Sequence, residues 1–335
     1  MPRRRLATLC TAALLTILAA CSTTSATTDA NTTTSTSSTV APATTTTSPP
    51  TTTTTAAPMP CALSMKRPLT EEYIRRPGVD RSLLSLDVYL LDPSCGVRPV
   101  VVWIHGGGWS SGDKAIEIAG KVALAVANGW VLVSINYRLS TDDVMVRWPD
   151  HGNDAAAAVG FVLDHAAEFR IDPAHIALMG HSAGGHIASM LAVDPYLLTN
   201  VGYRRENLSC VVGLDTQGYD LLAPGDATDG WIPFYVQRAF GPTREDLERA
   251  SPSYMLRQVP GRVAEFLIVT RGGPYRRQIA NDFALQLRLN GTRALVLDAG
   301  AYEHAEVNLR LGDPTDSEVT PVVERFLRNC LSRGT

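Results

Sequence analysis

The chain has 335 residues, 45% hydrophobic and 19% charged, enough for one large domain with a full core and extra segments around it. Its formal charge is −3; without residues 1–20, which hold Arg3, Arg4 and Arg5 and no acidic residue, its 30 Lys and Arg fall to 27 against 33 Asp and Glu. This balance excludes binding to nucleic acid through backbone charge.

Residues 1–20 read as an export signal, with the three arginines leading an apolar run over residues 6–20. Leu18, Ala19, Ala20 and Cys21 resemble a bacterial lipobox, in which the signal is cut before a cysteine that then carries the lipid. The resemblance implies an envelope lipoprotein held at the outer face of the bacterial cytoplasmic membrane through Cys21, with plain secretion as the alternative. The run is short of the roughly 20 residues that span a bilayer. In residues 22–60, 24 of 39 positions are Ser or Thr and Asp29 is the only charge. Such a composition cannot bury a core, so residues 21–60 are expected to be a disordered tether.

A folded catalytic domain is expected over residues 61–335. Cys10 leaves with the signal and Cys21 takes the lipid, so Cys61, Cys95, Cys210 and Cys330 remain, an even number in an oxidising compartment. Of the three pairings, Cys61 with Cys95 and Cys210 with Cys330 is preferred. The first pair flanks one strand-like run, and the second ties the last helical stretch to the sheet.

Apolar runs at residues 83–91, 100–104, 130–136, 176–179, 211–214, 266–270 and 295–297 predict strands, separated by helical stretches. Residues 154–169 and 278–289 space their apolar side chains three and four apart, as helices covering a sheet do. The fold class is α/β, with a mostly parallel central sheet flanked by helices. Residues 219–260 break the pattern with Pro224, Gly225, Gly230, Pro233, Pro242 and Pro252. They read as a small cap whose Trp231, Phe234, Tyr235 and Phe240 either line an entrance or fill the gap to the sheet.

Gly180, His181, Ser182, Ala183 and Gly184 follow one of these runs and precede a helical run over residues 185–192. This is G-x-S-x-G in a strand-turn-helix setting, where Gly180 and Gly184 give room for a sharp turn that exposes the Ser182 hydroxyl. The N–H of Ala183, at the positive end of that helix, is placed to meet a developing oxyanion. His105, Gly106, Gly107, Gly108 and Trp109 follow another run and resemble the H-G-G-G loop of esterases and lipases. Gly107 and Gly108 would supply further N–H donors, while His105 braces the loop. The glycines lack the lysine of a P-loop and the spacing of a dinucleotide site.

His304 follows the last strand-like run, where the order serine, acid, histidine places the base. His151, His165, His175, His181 and His186 read as surface, capping or packing residues. No H-E-x-x-H or paired-cysteine spacing occurs, so no metal is expected. The two motifs, together with Asn136 to Arg138 and Arg170 to Pro173, resemble α/β-hydrolases related to hormone-sensitive lipase and bacterial carboxylesterases, over roughly residues 80–330.

That resemblance implies hydrolysis of a small-molecule carboxylic ester through an acyl-enzyme on Ser182, without a cofactor. It also places an acid in the loop after the penultimate strand, yet residues 271–277 contain no carboxylate. Asp215 is favoured instead, because Gly213, Leu214 and Asp215 resemble the Gly-Leu-Asp of pancreatic-type lipases. Asp220, Asp298 and Asp282 are its rivals. Asp113 and Lys114 read as structural. Two other activities stay open: amide or formamide cleavage, since the H-G-G-G-W loop also resembles kynurenine formamidases, and a catalytically dead surface protein on a hydrolase fold.

Overall fold

The computed structural model describes residues 61–143, 145–223 and 234–332. The signal, Cys21 and the tether fall outside the described residues, as do Pro224, Gly225, Gly230, Trp231 and Pro233 of the cap.

Eight strands form one sheet: β1 (Leu69–Glu72), β2 (Ser85–Tyr89), β3 (Arg98–Ile104), β4 (Val131–Ile135), β5 (Ile171–His181), β6 (Cys210–Leu214), β7 (Glu265–Thr270) and β8 (Ala294–Asp298). Their spatial order is β1-β2-β4-β3-β5-β6-β7-β8. The β1/β2 and β2/β4 pairs are antiparallel and all others parallel. Parallel strands covered on both faces read as unbroken apolar runs. Accordingly, Val100 to Ile104 and all of β4 and β6 are buried. β1 was not expected from the sequence, because half of its four residues are glutamates on a partly exposed edge. The run at 83–91 shortens to β2, because residues Arg81–Leu84 form a 3₁₀ turn capped by the Asp80 side chain.

The helices are α1 (Ala119–Asn128), α2 (Asp150–Asp164), α3 (Ala166–Phe169), α4 (Ala183–Val193), α5 (Pro195–Thr199), α6 (Phe234–Phe240), α7 (Arg244–Arg249), α8 (Pro252–Gln258), α9 (Pro274–Leu289), α10 (His304–Leu309) and α11 (Thr320–Leu331). Alternation along β3 divides the core. Val100, Val102 and Ile104 pack with α2, α4 and α9 on one face, and Val101 and Trp103 pack with α1, α10 and α11 on the other. The described part of the cap segment comprises α6 to α8. Phe240 on α6 is buried edge-on against Trp109 at 4.6 Å, and the segment rejoins the core through Tyr219, stacked on Phe283 at 4.6 Å, and Leu256.

Cys61 is bonded to Cys95 and Cys210 to Cys330, with Cα separations of 5.9 and 6.3 Å. The second bond fixes α11 to the start of β6, the end opposite the one that carries Asp215. Among the described residues no helix is long and apolar enough to cross a membrane.

Candidate active site

Ser182 sits between β5 and α4 at φ 53°, ψ −117°, a left-handed conformation that costs a non-glycine residue about 1–3 kcal/mol. Its surroundings enforce that bend. The Ser182 N–H donates to Leu214 O at 2.9 Å, and the Ser182 carbonyl accepts from His186 N–H at 3.1 Å and from the Thr216 hydroxyl at 3.1 Å. Glycine is required on either side. A Cβ on Gly180 would strike the Gly184 carbonyl, and one on Gly184 would strike the Ile104 carbonyl at the end of β3.

The glycine loop after β3 is bent at Gly107 (φ 113°), Gly108 (φ 58°) and Trp109 (φ 58°). His105 braces it. Its ring stacks on Tyr137 at 4.4 Å, its Nδ1–H donates to Gly106 O at 2.7 Å, and its own carbonyl accepts from Tyr137 OH at 3.0 Å. Burial lowers the His105 pKa, which favours the neutral ring. Asn136 extends the brace, donating to Asp113 Oδ2 at 2.8 Å and accepting from Lys114 N–H at 2.6 Å, while the Lys114 ammonium pairs with Asp87 at 3.1 Å. Among the described residues the N–H groups of Gly107, Gly108 and Ala183 carry no hydrogen bond.

His304 begins α10, where Glu303 and Glu306 form a capping box. Its Nδ1–H donates to Asp215 Oδ2 at 2.5 Å. Asp215 ends the β6 strand run at φ 45° with 1% of its surface exposed, anchored through its N–H to Val269 O at 2.8 Å. Its other oxygen, Oδ1, accepts from Arg276 Nη2 at 2.7 Å. The rivals lie elsewhere. Asp220 accepts from Leu222 N–H at 3.0 Å, Asp298 pairs with Arg277 at 2.8 Å, and Asp282 lines a separate cavity of about 250 Å³.

Ser182 and His304 line one cavity of about 320 Å³, together with residues 106–108, Asp113, Glu117 and Asn308. Tyr235 of the cap segment stacks on Trp109 at 6.4 Å beside this loop, and the exposed Phe234 lines a different cavity. Three residues of the site escaped the sequence reading. His181, read as packing, lies ring to ring with His304 at 4.5 Å and donates from Nε2 to its carbonyl at 2.9 Å. Burial, then the neighbouring His304, push its pKa down to about 4, so it stays neutral. Lys121 is buried, and its ammonium joins the carbonyls of Glu117 (2.8 Å) and Asn308 (2.7 Å) beneath α10. Arg276 lay within the stretch noted only for lacking a carboxylate.

Residues 86–209 match the family model described as BD-FAE. The probable carboxylic ester hydrolase LipM of Mycobacterium tuberculosis (strain ATCC 25618 / H37Rv) is 39% identical over 100 residues, 30% of this chain and 22% of that protein. The carboxylesterase NlhH of the same strain is 40% identical over 94 residues, 28% of each chain. The matched segment thus spans well under a third of these relatives' own length. Among solved structures, a thermophilic esterase from the Planctomycetes species Thermogutta terrifontis, with butyrate bound, superposes with a TM-score of 0.64 at 22% identity. It covers 81% of this chain and 98% of that one. A truncated carbohydrate esterase from gut microbiota gives 0.62 at 18%, covering 80% and 98%. At these identities the likeness is one of fold.

Proposed function

We propose that this chain, an α/β-hydrolase by its fold and by the family model it matches, is a serine esterase that cleaves small carboxylic esters. One observation carries the reading: the 2.5 Å bond from His304 Nδ1 to the buried Asp215, with Ser182 strained at φ 53° on the wall of the same cavity as His304. In this reading Asp215 holds His304 in the tautomer whose Nε2 is free to accept the Ser182 proton. Oγ attacks the acyl carbonyl, and the oxyanion is met by the N–H groups of Gly107, Gly108 and Ala183. His304 returns the proton to the leaving alcohol and then activates the water that releases the acid. The cavity of about 320 Å³ suits short acyl groups. LipM and NlhH, named as ester hydrolases, support ester over amide cleavage.

The protein works outside the cytoplasm in this proposal, released from its signal after residue 20 and lipidated on Cys21, with residues 21–60 as a tether to a catalytic domain at 61–335. The order of charge and apolar residues at the start of the sequence supports export, as do two disulfides in the folded unit. Rates on p-nitrophenyl acetate and on an aryl formamide, measured side by side, test the activity. Ester turnover that is lost in Ser182→Ala is expected; faster formamide cleavage moves the assignment to an amidase, and no turnover of either leaves a non-catalytic surface protein.

A further inference from the structure

The inference rests on the hydrolase reading of this site: the segment after β7 that lacks the expected acid carries Arg271, Arg276 and Arg277 instead. Arg271 and Arg277 pair with the exposed carboxylates of Glu303 and Asp298. Arg276, in the first turn of α9, turns inward. Its side chain is 12% exposed, and it bonds the oxygen of Asp215 that His304 leaves open. Gln217, with its amide oxygen turned toward the guanidinium, accepts from Nη1 at 2.5 Å and from Nη2 at 2.8 Å. The two oxygens of one buried carboxylate are therefore divided between an imidazole and a guanidinium whose own orientation is fixed.

We propose that Arg276 is a positioning residue for the Asp215–His304 pair: the first turn of α9, which follows β7, supplies the cation that orients the carboxylate supplied after β6. A carboxylate taken out of water is costly unless it is paired and fully hydrogen-bonded, and the single N–H of His304 satisfies only one of its oxygens. The planar guanidinium, bonded to Oδ1 and held by Gln217, fixes the carboxylate plane and so the direction in which Oδ2 meets Nδ1. It also offsets the carboxylate charge, so His304 faces a near-neutral pair instead of a bare anion.

Other charges around His304 are engaged with partners of their own. Glu303 and Glu306 cap its own helix, with Glu303 tied to Arg271 at 2.9 Å. His181 is kept neutral by burial, Lys121 is bonded to two carbonyls, Glu117 accepts from the Asn308 side chain on α10, and Asp113 accepts from Asn136. Among the described residues Arg276 is the cation paired with the acid itself.

The test compares wild type, Arg276→Met and Arg276→Lys as purified full chains. Active serines are counted with a fluorophosphonate, and the His304 imidazole is followed through its titration by NMR of ¹⁵N-histidine protein. In Arg276→Met the titration midpoint moves up by about one pH unit, because an uncompensated carboxylate favours the imidazolium. The acid limb of the rate profile moves with it, and kcat per counted serine falls by up to about 100-fold with little change in KM. Arg276→Lys restores the midpoint and part of the rate, since it returns the charge without the fork. A midpoint and a per-serine kcat equal to wild type in Arg276→Met, whatever its Tm, overturn the proposal. The midpoint is read without turnover, so it decides Arg276 even for a wild type that cleaves no ester, an outcome that sinks only the hydrolase reading.

Discussion

A carboxylate as deeply buried as Asp215 has to be answered by its neighbours, and here each oxygen has one answer. Replacing it with asparagine puts an amide N–H within reach of Nδ1 and favours the wrong imidazole tautomer. The Asp215→Asn variant is expected to lose about four orders of magnitude in kcat with its KM little changed. Asp220→Asn and Asp298→Asn, whose carboxylates serve a local turn and Arg277, are expected to stay within about two-fold of wild type on surface-mutation grounds. Steady-state kinetics on the three variants check this. Ser182 and His304 were legible because their signals are local: glycines around a serine, and a histidine after the last strand. The acid was legible only as a preference, since which strand end meets α10 depends on sheet order. His181 and Arg276 were not legible at all, because their contacts with His304 and Asp215 close loops of 123 and 61 residues.

At the level of elements, burial on both faces made β3, β4, β6 and β7 readable as continuous apolar runs, while β1 was hidden by its glutamates. β5 begins at Ile171, earlier than the run at 176–179 suggested, because its first residue pairs with Arg98 before a shift in register. Helix α11 lies on the same face as α1 and α10 and is fastened to β6 by the Cys210–Cys330 bond across 120 residues of chain. Removing it as the double Cys210→Ser, Cys330→Ser variant is expected to cost about 2–5 kcal/mol of stability, seen as a lower urea midpoint. Rate per active serine should hold, since β6 is buried between two other strands and keeps Asp215 in place. A matching loss of per-serine rate would show that the bond helps to shape the site.

The whole molecule carries a set of histidines that folding keeps neutral. Burial pushes His151 down to about 3 and His181 and His186 to about 4. All three lie below the value of an exposed imidazole, so between pH 6.5 and 4 the unfolded chain binds protons that the folded one does not. Their contribution to stability is complete above pH 6.5 and is lost as the pH falls toward 4. Urea unfolding at pH 5 in weak buffer is expected to take up about three protons or more, against none from these groups at pH 8. An uptake near zero at pH 5 would mean that these rings are already charged in the folded protein.

Everything proposed for the site depends on one serine being a nucleophile. Treating the intact protein with a fluorophosphonate and mapping the adduct by mass spectrometry tests this most directly. The account predicts one label per chain, on the peptide bearing Ser182, formed far more slowly in His304→Ala and not at all in Ser182→Ala. A folded wild type that stays unlabelled, or takes the label at another residue, would contradict it.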